Sequence, residues 1–185
     1  MKYIQIKTLE IAGYKSALEA LRLPFGKECR SNVEGWTEKY DSGIAIQQFI
    51  EVNPNDLKLM STLIKRGDEH AKVIRGVNVY AEINAPRYWW CEMDTYRIGT
   101  ERLSSESTMH IQGKGLATEE LLEMKEHLKE GTMQKRVQMF SYQTLRRIYH
   151  QRHNHRLPHW HEFCEWIENL PYAKELILVG NEEVE

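Results

Sequence analysis

Val77-Asn78-Val79-Tyr80-Ala81-Glu82-Ile83-Asn84-Ala85-Pro86 sets Val77, Val79, Ala81 and Ile83 against Asn78, Tyr80, Glu82 and Asn84. That two-residue period belongs to a strand with one buried face, and Pro86, which has no N–H for a ladder, ends it. Arg87 to Arg97 then contains no Gly or Pro and starts a helix, whereas Ile98 to Gly115 is too rich in Ser and Gly to read as regular. Before the strand, Asp68 is placed to cap a turn through Arg75. Asn53-Pro54 opens a helix, a capping side chain followed by a ring already at helical φ, and Leu57, Met60, Leu63 and Ile64 form its apolar stripe up to Gly67. Further out, Tyr3 to Lys7 reads as a short first strand, Tyr14 to Leu23 as a helix stopped by Pro24, and Gly26 to Ser42 as a loop. Towards the C-terminus, Thr118 to Glu130 reads as a helix, with Glu119 and Glu120 at its positive end and Gly131 past its close. A longer helix is expected from about Thr132 to Arg156, its inner face carrying Leu145, Ile148 and Tyr149, and Pro158 restarts one more with Phe163, Trp166, Ile167 and Leu170 inside. Strand and helix signals without a regular βαβ alternation predict an α+β fold.

The 185 residues, with no repeat or Gly/Pro/Ser linker, are read as one domain over residues 1–185. The 41% hydrophobic and 28% charged content provides for a packed core and excludes a disordered or collagen-like chain. No apolar run approaches the roughly 18 residues of a membrane span, so a soluble, cytoplasmic protein with no membrane partner is expected. A formal net charge of −2 does not advertise a duplex nucleic-acid surface. Cys29, Cys91 and Cys164 are odd in number and lack any CxxC pair, so buried thiols are expected instead of a disulfide framework.

Charge is unevenly spread. Ser141 to His161 holds four arginines, five histidines and no carboxylate. On a helix Arg152 and Arg156 continue the apolar face of Ile148, and a guanidinium on an inner face needs an anion, either an internal Asp or Glu or the oxygens of a bound phosphate. His150, His153, His155, His159 and His161 are spaced like metal ligands, but Pro158 interrupts the helix, HExxH is absent and the arginines oppose a cation. They are read as an aromatic, basic face, with no metal. Arg97 to Thr108 packs hydroxyls and amides behind an arginine, a loop suited to donate to an anion. Of Trp89 and Trp90, one is assigned to the core and the other to stacking on a base. Ser105 has no spaced His and Asp partner, so no catalytic nucleophile is assigned.

Together these segments resemble the flavin-dependent thymidylate synthases, whose pattern runs AP, then Q, then RHR, seven residues and Ser. Here Ala85-Pro86 is followed by Glu92 and by Thr95-Tyr96-Arg97, and seven residues after Arg97 comes Ser105. Ser141 to Arg152 looks like the family's later helix, and Glu69-His70 like its EH. The resemblance implies a thymidylate-synthase-like domain with a small mixed or antiparallel sheet and packed helices. It places Glu92, Arg97, Ser105 and Arg152 around a nucleotide, with Arg152 and Ser105 at the phosphate. It places His70, Tyr96, Gln143, Arg147 and Arg156 on the side of a flavin cofactor, FAD. Thr95 and Tyr96 stand in place of the arginine and histidine that hold flavin, Leu103 of a glutamate, Ser107 of an arginine beyond the serine, and Gln143 of a flavin-contacting arginine. The losses fall more heavily on the flavin side.

Two ligand-binding functions follow, beside a third possibility, a protein-interaction domain with an inert pocket whose arginines merely pair internally. The first is a nucleotide-binding enzyme that transfers a one-carbon unit to a uridylate-type nucleotide through reduced flavin. The alternative is a degenerate binder that sequesters or senses a phosphorylated ligand, a form that suits a viral or phage source. The family pattern also implies a homotetramer with shared sites, and a nucleoside monophosphate as partner.

Overall fold

In the computed structural model residues 2–28, 31–33 and 50–180 are described. Cys29, most of the loop expected over Gly26 to Ser42, and the acidic tail from Glu182 lie outside them. In chain order the elements are β1 (Gln5–Ala12), α1 (Tyr14–Arg22), β2 (Asn32–Val33), β3 (Ile50–Glu51), α2 (Pro54–Lys65), β4 (Asn78–Pro86), α3 (Arg87–Met93), β5 (Thr100–Ser105), α4 (Thr108–Ile111), α5 (Thr118–Glu126), β6 (Met133–Ser141), α6 (Tyr142–Arg152), α7 (Pro158–Glu168) and α8 (Ala173–Leu176). Short 3₁₀ turns cover Leu23–Phe25 and Ala71–Arg75.

The main sheet has the order β1-β4-β6-β5, every pair antiparallel. The fold is therefore α+β with an antiparallel sheet. β4 is a central strand, and the alternation seen in its sequence is the alternation of its burial: Val79, Ala81, Ile83 and Ala85 are all fully buried. Register from Asn78↔Ser141 to Pro86↔Met133 joins it to β6. An aromatic chain fills the core beside it. Trp89 lies 5.0 Å from both Trp90 and Trp160, Trp160 lies 5.9 Å from Phe163, and Phe163 lies 5.7 Å from Phe140. Asn53 caps α2, its Oδ1 accepting from the Asn55 N–H at 2.9 Å, as its sequence predicted.

Several expectations are corrected. The single helix from Thr132 to Arg156 is a strand, β6, followed by α6. The buried positions of β6 are Arg136, Gln138, Phe140 and, at its end, Ser141, so three of the four are polar and the alternation is masked by residues that rarely face a core. Arg136 is accommodated by Asp94, at 2.8 and 3.0 Å, and by the face of Trp90 at 4.4 Å. Ile98 to Gly115 is not irregular: β5 pairs along β6 as an edge strand, almost wholly exposed, so no apolar face announces it. α5 stops at Glu126, short of Glu130, and α6 stops at Arg152, so Arg156 is exposed beyond the helix instead of continuing its inner face. Asp68 does not cap the turn that ends at Arg75: His70 stands at its N-cap and makes no side-chain cap bond, while the Asp68 carbonyl accepts from Arg75 Nη2 at 3.2 Å. Trp89 and Trp90 are both core, leaving neither to stack on a ligand. Cys91 is exposed, whereas Cys164 is buried and burial pushes its thiol up to about 12.

The C-terminal segment is held by α6. Arg146, buried, donates from Nη1 to the carbonyls of Ile177, at 3.2 Å, and Val179, and to Nε2 of His150 at 2.7 Å. An imidazole nitrogen that accepts carries no proton, and burial with the Arg146 charge lowers the His150 pKa. Burial likewise lowers that of His159, which shares a 2.8 Å hydrogen bond with Tyr88. Depressed folded-state values mean that the unfolded chain binds protons first. The stability they contribute is complete above the ordinary imidazole value of 6.5 and is lost as pH falls below it toward the depressed values. The denaturant midpoint is expected to drop between neutral pH and about pH 5, and less steeply in His150→Gln.

Candidate functional site

Arg152 closes α6, and Glu92 lies in the last turn of α3, sixty positions earlier. The two helices bring them together: Arg152 Nη1 donates to Glu92 Oε2 at 3.0 Å. The same oxygen accepts from Trp160 Nε1 at 2.9 Å and lies 3.7 Å from His155 Nε2. Arg152 Nε donates to the Tyr96 hydroxyl at 2.8 Å, and that hydroxyl donates to Gln151 Oε1 at 3.0 Å. The guanidinium carbon sits 4.7 Å from the Trp160 ring centroid and 5.6 Å from that of Tyr96. Arg152 is thus fixed on three sides while its side chain stays 20% exposed, and Nη2 makes no hydrogen bond among the described residues. A guanidinium held in this way offers the oriented N–H donors of Nη2 without further loss of rotamer freedom.

Two grooves bear on the remaining candidate residues, and the smaller of them includes Tyr96 of this centre. One, about 520 Å³, is bounded by Asp68, Arg75, Ile98, Met139, Gln143 and Arg147. Arg75 Nε donates to Gln143 Oε1 at 2.8 Å and Arg147 Nη2 to the Ile98 carbonyl at 3.3 Å, so both cations stand at its rim. Its floor depends on Gly99, where φ is +73° and a Cβ would lie 2.4 Å from Thr144 Oγ1. The other groove, about 380 Å³, is lined by Asp94, Tyr96, Arg97, Arg102 and Gln138 among others. Both volumes fall within the range of small-molecule sites.

Of the residues expected at a nucleotide, Glu92 and Arg152 touch each other. Arg97 is exposed in the smaller groove, one residue from Tyr96. Ser105 is exposed at the opposite end of β5, about 16 Å along the strand from Thr100. Arg152 has an internal acid, Glu92, at 3.0 Å. Of the residues expected on the flavin side, Gln143 and Arg147 line the larger groove. His70 is exposed with Glu69 at 3.5 Å, Tyr96 is turned inward to Arg152, and Arg156 is exposed outside both grooves. The sequence reading passed over Trp160, the floor of the Arg152 site, although its spacing of three and seven from Phe163 and Ile167 marks it as inward-facing. Among the described residues no three His, Cys, Asp or Glu side chains are grouped to hold a metal, and no helix is long and apolar enough to cross a membrane.

No protein-family model matches the chain, and no curated protein does. Solved structures do match. The flavin-dependent thymidylate synthase ThyX from Helicobacter pylori, complexed with FAD and dUMP, superposes with a TM-score of 0.64 at 12% identity, over 95% of this chain and 98% of that one. The UMP/dUMP methylase PolB from Streptomyces cacaoi, bound with 5-Br dUMP, gives the same TM-score and identity over 97% of each chain. The chain has the fold of the flavin-dependent thymidylate synthases along nearly its whole length.

Proposed function

We propose that this chain binds a uridylate-type nucleoside monophosphate, with Arg152 receiving the phosphate. One observation carries the reading: Arg152 is anchored between Trp160, Tyr96 and Glu92 with Nη2 left over, on a fold whose solved neighbours hold dUMP or its analogue. Arg97 and Ser105 belong to the same proposal, and since they sit at opposite ends of β5 one phosphate reaches both only where copies of the chain share a site. A tetramer meets that requirement, and sedimentation as a monomer would remove the shared site. In calorimetric titration with dUMP, Arg152→Ala is expected to weaken binding by no more than roughly 1.5 kcal/mol, the lower end for a charge-assisted hydrogen bond, because Glu92 already holds Nη1. Unchanged affinity in a folded variant takes Arg152 out of the site.

The larger groove suits a dinucleotide cofactor: Arg75 and Arg147 provide cations for a diphosphate, Gln143 a polar contact, and Ile98 and Met139 apolar surface for rings. His70 and Arg156 are proposed on the same cofactor from their places in the sequence. Bound FAD would supply the hydride for one-carbon transfer to the nucleotide, and the chain's own part would be to hold and orient the two ligands. A second reading, a binder without redox chemistry, is favoured by one observation. The Tyr96 hydroxyl is spent on Arg152 and Gln151, and the Thr95 hydroxyl on the Glu92 carbonyl at 2.7 Å, so neither is turned to a flavin. Thermal shifts separate the two. Nucleotide at about a hundred times its Kd adds about 2.7 kcal/mol in either case, whereas FAD stabilises the protein only in the transferase.

A further inference from the structure

We propose that Glu92 is a competing anion built into the Arg152 site, so that the ligand is recognised mainly through its uncharged base and sugar and only weakly through its phosphate. The inference rests on the nucleotide reading above and says which part of the nucleotide supplies affinity. Glu92 Oε2 holds the Nη1 donor of Arg152 at 3.0 Å, and both side chains are partly exposed, 32% and 20%, so a ligand can reach them. A phosphate approaching that guanidinium must either displace the carboxylate or lie within a few ångström of a charge of its own sign. Displacement is itself costly, because the same oxygen serves the indole N–H of Trp160, and Trp160 is fully buried.

The charge of Glu92 is not needed to place its neighbours. A glutamine carbonyl in the same position would accept from both Arg152 Nη1 and Trp160 Nε1, keeping the geometry while removing the negative charge. Glu92→Gln therefore separates a competing anion from a mere positioning residue. His155 Nε2 lies 3.7 Å from the same oxygen, and an imidazole offsets a carboxylate charge only when protonated.

The test compares dUMP with deoxyuridine by calorimetric titration of the full chain. Wild type is expected to prefer dUMP by less than about tenfold, below the contribution of one unopposed charge-assisted bond. Glu92→Gln is expected to bind dUMP about tenfold or more tightly and to raise the ratio of dUMP to deoxyuridine affinity by a similar factor, and the gain is expected to vanish in Glu92→Gln combined with Arg152→Gln. A folded Glu92→Gln protein that binds dUMP no better than wild type overturns the proposal. So does a wild-type preference for dUMP above about tenfold, a measurement that needs no variant and decides the matter if Glu92→Gln fails to fold. Wild-type binding of dUMP with no gain in the variant sinks only this inference, whereas no binding of dUMP or deoxyuridine by either protein sinks the nucleotide reading with it.

Discussion

Trp160→Ala is expected to lower the free energy of unfolding by about 3 to 5 kcal/mol, the range for emptying a buried aromatic site, and to abolish any discrimination that depends on Arg152. Against a typical total of about 5 to 15 kcal/mol for a domain, that is a large share. The size follows from where the ring sits. Trp160 is fully buried, with Trp89 at 5.0 Å and Phe163 at 5.9 Å, and its indole N–H is committed to Glu92. Removing it opens a void between α3 and α7 and leaves Glu92 one donor short. It also strips the face against which Arg152 rests, so the guanidinium regains rotamer freedom that binding must then remove again. Trp160→Phe keeps most of the volume and loses the N–H. Its expected cost is accordingly near that of one hydrogen bond to a charged group, about 1.5 to 3 kcal/mol, discounted because Glu92 is partly solvated. Urea midpoints for the two variants check the order, and equal losses would mean that the hydrogen bond, and not the packing, carries the site.

How much of this was legible in the sequence depended on whether inward-facing side chains were apolar. β4 was readable because Val79, Ala81 and Ile83 are inside it, and α2 because Asn53 and Pro54 punctuate its start. β6 was not, because Arg136 and Gln138 face inward. A sequence cannot show that Asp94, forty-two positions away, neutralises Arg136. β5 was hidden for the opposite reason, since an exposed edge strand draws its ladder from β6 and needs no apolar face. The site divides in the same way. The intervals from Ala85-Pro86 to Arg97 and Ser105, and the segment ending at Arg152, pointed to the fold through a family resemblance that does not depend on local propensity. That Glu92 closes on Arg152 while Ser105 lies at the far end of β5 depended on three-dimensional register alone.

Gly13→Ala is expected to be the most damaging of the small substitutions, destabilising by about 3 kcal/mol or more. Gly13 joins β1 to α1 with φ at +90°, a conformation that costs an L-residue roughly 1 to 2 kcal/mol, and this is the smaller part. A Cβ there would lie 1.9 Å from the Gly76 carbonyl oxygen and 3.0 Å from its carbon. These are main-chain atoms at the entrance to β4, so no side chain can swing aside. Relief requires shifting either the first turn of α1, where Ala17 N–H bonds the Gly13 carbonyl at 2.9 Å, or the Ala12↔Asn78 pair that ends the β1–β4 register. Both movements strain contacts of Tyr14 and Leu18 in the core. Gly67→Ala provides the comparison, because Gly67 also has positive φ, +109°, yet nothing lies within 4 Å of the added carbon. Its expected cost is the backbone part alone, roughly 1 to 2 kcal/mol. The difference between the two unfolding free energies therefore measures the close approach of β1–α1 to Gly76. If the two variants lose stability equally, that approach is looser than the 1.9 Å separation implies and the β1–α1 joint is not what fixes the edge of the sheet.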